Sequence, residues 1–226
     1  CIRDSSSEDE NKWGVAFGGK PLYKTKNASD LVEPITVTPT YLAHPLGGNL
    51  VVFGTGKFFE SADVNDNQVQ SLYGIWDTVR TGQTSDHAID AISTQSSGAN
   101  ADKDGSLLVQ QVITPINGTD YFTASSKAVD YGTKRGWFIR MNINPSGLRL
   151  VFAPQLAVGK VFMQALSPNG VTTDPCAARQ GKSVNFVLNP FTGSGSPLEP
   201  TFDVNGDGQI NASDLTHQSV AINAVA

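Results

Sequence analysis

Short runs of branched and aromatic residues, each cut off by glycine or proline, recur along the whole chain. Asn49-Leu-Val-Val-Phe-Gly54 stops at Gly-Thr-Gly, and Pro34-Ile-Thr-Val-Thr-Pro-Thr-Tyr41 is bounded by prolines. Punctuation of this kind suits short strands joined by turns. Long stretches of Ala, Leu, Glu and Lys are missing, whereas Gly (22) and Pro (12) are plentiful. The expected fold class is therefore all-β, built from antiparallel sheets.

Four such runs follow one another, separated by turn-rich loops: 34–41, 49–54, Ser71-Leu-Tyr-Gly-Ile-Trp76 and Leu107-Leu-Val-Gln-Gln-Val-Ile113. Four antiparallel strands in sequence make one sheet of a meander or one propeller blade. A strand-like stretch at Trp13–Phe17 precedes them, after a polar first dozen residues that read as a loop. A second set begins at Gly136-Trp-Phe-Ile-Arg-Met-Asn142 and continues through 148–152, 160–166 and 183–188. Residues 81–105 form a long polar loop, and no repeat of fixed period is visible. A Gly/Ser/Pro-rich connection at 192–200 divides the β region, 1–200, from an acidic C-terminal segment, 201–226.

Only 16% of the residues are charged, which argues against extensive disorder. The net charge of −5 gives no bulk attraction for nucleic acid or anionic lipid. No apolar run approaches the roughly 20 residues of a bilayer span, and no leader is visible. The chain thus reads as a mature protein or a piece of one. Two cysteines, Cys1 and Cys176, pair in one reading and stay apart in another.

Residues 203–214 read Asp-Val-Asn-Gly-Asp-Gly-Gln-Ile-Asn-Ala-Ser-Asp. Calcium is a hard cation that takes six to eight oxygens, and a twelve-residue loop wraps it. Asp203, Asn205 and Asp207 put oxygen side chains at positions 1, 3 and 5. Gly208 allows the sharp turn at position 6, and Gln209 offers its main-chain carbonyl at position 7. Ile210 is expected to anchor the loop in the core, and Asp214 to close the shell. The Asp at position 12, where Glu is usual, matches dockerin-like loops. Asn211 and Asp214 also fit an N-cap and third helical position, so a short helix through Val220 is expected. No helix is evident before Asp203. The competing reading is a plain Asx/Gly turn with solvated carboxylates, but crowded carboxylates repel one another unless a cation neutralises them.

Other signals are weaker. Asn100–Gly105 and Asp63–Asn67 read as surface turns. Gly54-Thr-Gly-Lys57 lacks the spacing and the Ser or Thr of a phosphate loop. His44, His87 and His217 are scattered and read as surface or loop residues, while Trp13, Trp76 and Trp137 read as core. No nucleophile motif is present.

Trp13–Leu22, Pro34-Ile-Thr36, Val51–Lys57 and Gln70–Asp77 together resemble the C-terminal β-propeller of the PilY1 family. Leu108–Gln111, Gly136-Trp137, Gly159–Phe162, Asp174-Pro-Cys176 and Phe202–Gly208 continue the likeness in order. The resemblance implies four-stranded blades, three or four of them, as a C-terminal portion of a larger propeller. It also implies Ca2+ binding, a role in type IV pilus biogenesis and adhesion, and an extracytoplasmic location at the pilus, cell surface or periplasm of a Gram-negative bacterium. Pilin or minor pilin subunits and host-surface ligands are the implied partners, and no enzymatic activity is expected. A quinoprotein-like propeller dehydrogenase and a dockerin-like docking module are the alternatives. The former would need a quinone pocket, and the latter carries two such loops in tandem.

Overall fold

A computed structural model of the chain describes residues 3–4, 14–15, 21–78, 106–168, 181–196, 199–216 and 220–225. Cys1, Trp13, Cys176, His87, His217 and the whole 81–105 loop, with the segment Asn100–Gly105 in it, lie outside these residues.

The strands in chain order are β1 (Arg3–Asp4), β2 (Gly14–Val15), β3 (Thr40–Ala43), β4 (Asn49–Gly54), β5 (Ser71–Asp77), β6 (Leu108–Gln111) and β7 (Ile113–Pro115). They continue as β8 (Tyr121–Ala124), β9 (Gly136–Arg140), β10 (Arg149–Leu150), β11 (Gln155–Ala157), β12 (Lys160–Ser167), β13 (Lys182–Leu188) and β14 (Val220–Val225). β1 pairs with β2. Sheet one has the order β3-β4-β5-β9-β6, and sheet two the order β10-β12-β13-β14-β8-β7, with β11 also on β12. Among these strands every pairing is antiparallel except β6 with β9. The all-β, antiparallel expectation holds.

The two sheets share one core. β12 alternates, with Val161, Met163 and Ala165 inward and Phe162 and Gln164 outward. This is the period of two that a half-buried strand requires. Its inward residues join Val184, Phe186 and Leu188 of β13 and meet Leu50, Val52, Leu72, Trp137 and Ile139 of sheet one. β5 differs, because all seven of its residues are buried. Its second face carries Tyr73 and Ile75 into a separate cluster with Phe53, Leu108 and Phe138, which Tyr23 covers. On that face Glu33 is 1% exposed and accepts hydrogen bonds from Ser71 Oγ (2.7 Å) and Tyr73 Oη (2.6 Å). Burial pushes its carboxyl above the usual range, although both donors and the Arg140 charge favour ionisation.

Trp137 fastens the sheets together. It is fully buried, and its indole N–H donates to Pro190 O at 2.7 Å, just beyond β13. The ring fits because Gly74 and Gly193 have no side chain. A Cβ on Gly74 would lie 2.4 Å from Nε1, and one on Gly193 would lie 2.3 Å from Cε3.

Arg149, 3% exposed, fixes the 57–66 segment beside sheet one. Its guanidinium donates to the carbonyls of Lys57 (3.0 Å), Asp63 (2.6 Å) and Asp66 (2.5 Å). Asp63 sits in a 3-10 helix, Ser61–Asn65. Its Oδ2 accepts from the N–H groups of Phe59 (2.9 Å) and Glu60 (3.0 Å), and its Oδ1 pairs with Lys57 Nζ at 3.1 Å. The oxygen-rich 63–67 stretch is therefore a structural turn.

Several details depart from the sequence reading. The 136–142 run, expected to open a second set, lies inside sheet one between β5 and β6. Gly-Trp-Phe-Ile is apolar on both faces, which suits a strand with neighbours on either edge. Among the described residues the sheets carry five and seven strands, more than the four of a single blade. The 34–41 run yields its strand late, at 40–43, and 148–152 keeps only Arg149–Leu150. The helix expected through Val220 is a 3-10 turn, Ala212–Thr216, and Val220 starts β14. Branched residues there gain two neighbouring strands, which helix propensity cannot match. His44 is buried, not a surface residue: it stacks on Trp76 (4.4 Å between centroids) and meets the edge of Tyr131. Trp76 and Trp137 are core, as expected.

Two outcomes are expected. Gly74→Ala should destabilise the protein by about 1–3 kcal/mol through overpacking. Combining it with Trp137→Phe should cost less than the sum of the two, since both act on one slot. Urea unfolding of the four proteins measures the coupling, and strict additivity would refute the slot. The Asp63 carboxyl is held down at about 2 by the Glu60 and Phe59 N–H groups and by Lys57. A depressed carboxyl adds stability above its unfolded pKa, about 3.9. That contribution should fade as the pH falls from about 4 towards 2, and Asp63→Asn should flatten this part of the stability profile.

Candidate metal centre

The loop from Asp203 to Asp214 begins where the chain leaves the outer side of sheet two. The Tyr121 hydroxyl on β8 donates to Asp203 O at 2.8 Å, and the Tyr121 and Phe202 rings lie 5.8 Å apart. The loop ends in the 3-10 turn Ala212–Thr216, and β14 follows between β13 and β8.

Within the loop, carboxylates and amides take up the backbone donors that a tight bend leaves unpaired. Asp203 Oδ1 accepts from the N–H groups of Gly206 (2.7 Å) and Asp207 (3.1 Å), and Oδ2 from that of Gly208 (2.8 Å). Asp207 Oδ1 accepts from Gln209 N at 2.8 Å. Asn205 Oδ1 accepts from Asp207 N at 2.9 Å, while its amide donates to Asp207 Oδ2 (3.2 Å) and Ser213 Oγ (2.7 Å). Gly208 has φ of +82°, a conformation open to glycine at little cost.

Asp214 is the loop's inner clasp. It is 2% exposed, and its Oδ1 accepts from the N–H groups of Val204 (2.8 Å) and Asn205 (3.2 Å), its Oδ2 from Asn211 N (2.9 Å). Asn211 returns the contact by accepting from Ser213 N at 2.9 Å, so the expected capping pair is formed. These donors, Asn211 first, hold the Asp214 carboxyl below the usual range against the opposing effect of burial. Ile210 does not anchor the loop: it is 59% exposed. In paired loops that position packs against a partner loop, and a single loop offers it none.

The structure brings Asp203, Asn205 and Asp207 together in one hydrogen-bonded group and sets Asp214 beneath them. Gln209 is exposed at the rim. Among the described residues no three His, Cys, Asp or Glu side chains converge as a metal cluster. The donor set nonetheless fits a hard cation, being all oxygen and mixing carboxylate, amide and main-chain carbonyl. A carboxylate has about four lone-pair sites, so Asp203 and Asp214, with three N–H donors each, and Asp207 all keep accepting capacity. Sequence reasoning missed Tyr121 and Ser213. Tyr121 is 82 residues from its partner and carries no local signal, whereas Ser213 sits in the motif at a position that direct ligation does not use.

Among the described residues no helix is long and apolar enough to cross a membrane. The family model of the PilY1 beta-propeller domain matches residues 5–120. The type IV pilus biogenesis factor PilY1 of Pseudomonas aeruginosa strain PAK is 29% identical over 230 residues, covering 92% of this chain and 18% of the relative. A PilY1 homolog of Xylella fastidiosa is 26% identical over 196 residues, covering 83% of this chain and 12% of its own. This chain therefore spans less than a fifth of the length of either relative. The crystal structure of the Pseudomonas aeruginosa PilY1 C-terminal domain superposes with a TM-score of 0.72 at 24% identity, over 96% of this chain and 44% of that one. The match of the PilY1 beta-propeller domain model over just more than half of its length places this chain in the PilY1 family.

Proposed function

We propose that the chain serves a type IV pilus as a non-enzymatic, extracytoplasmic binding module whose 203–214 loop holds calcium. The observation that carries the reading is the likeness, over 92% of the chain, to a protein named as a type IV pilus biogenesis factor. Pilin or minor pilin subunits are the partners in assembly, and a host-surface ligand is the partner in adhesion. The same likeness favours a pilus role over a propeller dehydrogenase or a docking module.

Asp203, Asn205 and Asp207 would hold the ion through side-chain oxygens and Gln209 through its carbonyl, with Asp214 closing the loop directly or by fixing its backbone. Calcium supplies positive charge that offsets the repulsion between these carboxylates. The chain's own part is to keep them in place: Asp203 and Asp214 lock the bend through backbone N–H groups, and Tyr121 ties it to β8. An ordered loop then presents a fixed surface beside β14.

Melting in calcium and in EDTA tests the site. An ion at about 100 times its Kd stabilises the folded state by about 2.7 kcal/mol, which should appear as a higher Tm. Asp207→Ala should abolish that rise and leave the Tm in EDTA nearly unchanged, because Asp207 is exposed. Asp214→Ala should lower the Tm even in EDTA, because three backbone donors lose their acceptor. A wild-type Tm indifferent to calcium would sink the metal site. For the pilus role, Asp207→Ala in the full-length protein should reduce surface pili and twitching. Normal piliation after removal of residues 1–226 from that protein would refute the assignment.

A further inference from the structure

At one end of sheet two lies a cleft of about 430 Å3, and none of its lining residues belongs to the 203–214 loop. Three stretches wall it: 126–128 after β8, the β11–β12 turn, and the end of β13 with residues 189–196 and Glu199 after it. Two of these walls are fixed to each other by Gln111, which is 1% exposed at the end of β6. Its amide nitrogen donates to Lys127 O (2.7 Å) and Thr192 O (2.8 Å), and its oxygen accepts from Ser125 Oγ (2.6 Å) and Lys127 N (3.1 Å). The cleft is thus held open before any ligand arrives, which lowers the cost of binding.

Its chemistry is cationic and rich in hydroxyls, in a chain whose net charge is −5. Lys127 makes no ion pair among the described residues, and Lys160 has only a loose one. Glu199 stands 3.7 Å from the Lys160 ammonium with 72% of its side chain exposed, whereas the Lys160 side chain is 23% exposed. An exposed pair at that distance contributes little and yields easily to a better placed carboxylate. The Thr192 and Ser194 hydroxyls, hydrogen-bonded to each other at 2.6 Å, leave one O–H to donate from the 192–194 wall.

The rim carries an anomaly that points to a partner. Val158 has φ of +52° and is 95% exposed. With Gly159 at +70° it forms a two-residue turn closed by the Ala157–Lys160 pair, a geometry that favours Asn or Gly at its first position. A branched residue there is strained and leaves an apolar side chain in water on the lining that Lys127 and Lys160 share. Strain kept at an exposed position is a mark of a working contact.

We propose that this cleft binds a carboxylate-bearing, apolar-flanked peptide segment, with the carboxylate between Lys127 and Lys160 and the neighbouring apolar side chain against Val158. The site is independent of calcium and of the pilus assignment.

The probes are acetyl-Leu-Glu-Leu-amide, its Gln counterpart and sodium acetate, titrated by NMR into the 15N-labelled chain in EDTA. The Glu peptide should shift the amides of Lys127, Thr192 and Ser194 saturably. The Gln peptide should bind about tenfold or more weakly, because a charge-assisted hydrogen bond is lost. Lys127→Gln with Lys160→Gln should weaken the Glu peptide to a similar degree while the Tm is retained. Val158→Asn should raise the Tm by about 2–4 °C as strain is relieved. It should also weaken the peptide severalfold and leave acetate unaffected. Equal binding of the Glu and Gln peptides, indifference to either set of substitutions, or no saturable shift at millimolar peptide would overturn the proposal. Acetate binding as tightly as the peptide would overturn it too, assigning the cleft to a free carboxylate.

Discussion

An indole ring held between two glycines fixes how the two sheets of this protein meet. Trp137 leaves β9 of sheet one, passes over Gly74, lies against Gly193 and ends on the Pro190 carbonyl of sheet two. A Cβ at either glycine would overlap the indole and displace the ring that sets the spacing of the layers. The common core depends on that separation, because its aliphatic residues interdigitate only when the sheets are in contact. The sheet-two side of the slot also fixes the start of the 189–196 segment, which walls the lysine-lined cleft.

Polar groups complete what the apolar core begins, and each is matched to a local need. Arg149 gathers carbonyls of the 57–66 segment and its short 3-10 helix. Gln111 does the same between two connections, using both ends of its amide. Asp214 collects three N–H groups from the bend it closes. Glu33 is the exception in kind, a buried acid satisfied by hydroxyls, whose ionisation burial opposes. Sheet one can bury both faces because such groups occupy the places that solvent would otherwise claim.

The two candidate sites sit on sheet two and differ in chemistry. One is a bend of hard oxygens aligned by backbone donors, suited to a cation. The other is a cleft with two ammonium groups and hydroxyls, suited to an anion. They occupy separate segments and carry groups of opposite charge.

The amino-acid sequence by itself determined the elements whose cause is local. Asn49–Gly54, Ser71–Trp76 and Lys160–Leu166 are legible as strands because their residue types and bounding turns act over a few positions. The 203–214 bend is legible for the same reason, since its oxygen-bearing side chains lie within twelve residues, as does the Asn211–Asp214 cap. Only the tertiary structure decided that β9 lies between β5 and β6, that Val220–Val225 is a strand, and that His44 is buried. Each of these rests on partners far away in sequence, which no local pattern encodes. The same holds for Tyr121 bonded to Asp203 and for Lys127 and Lys160 lining one cleft. Propensity sets what a segment can form, and the loss of water between distant segments selects which possibility is realised.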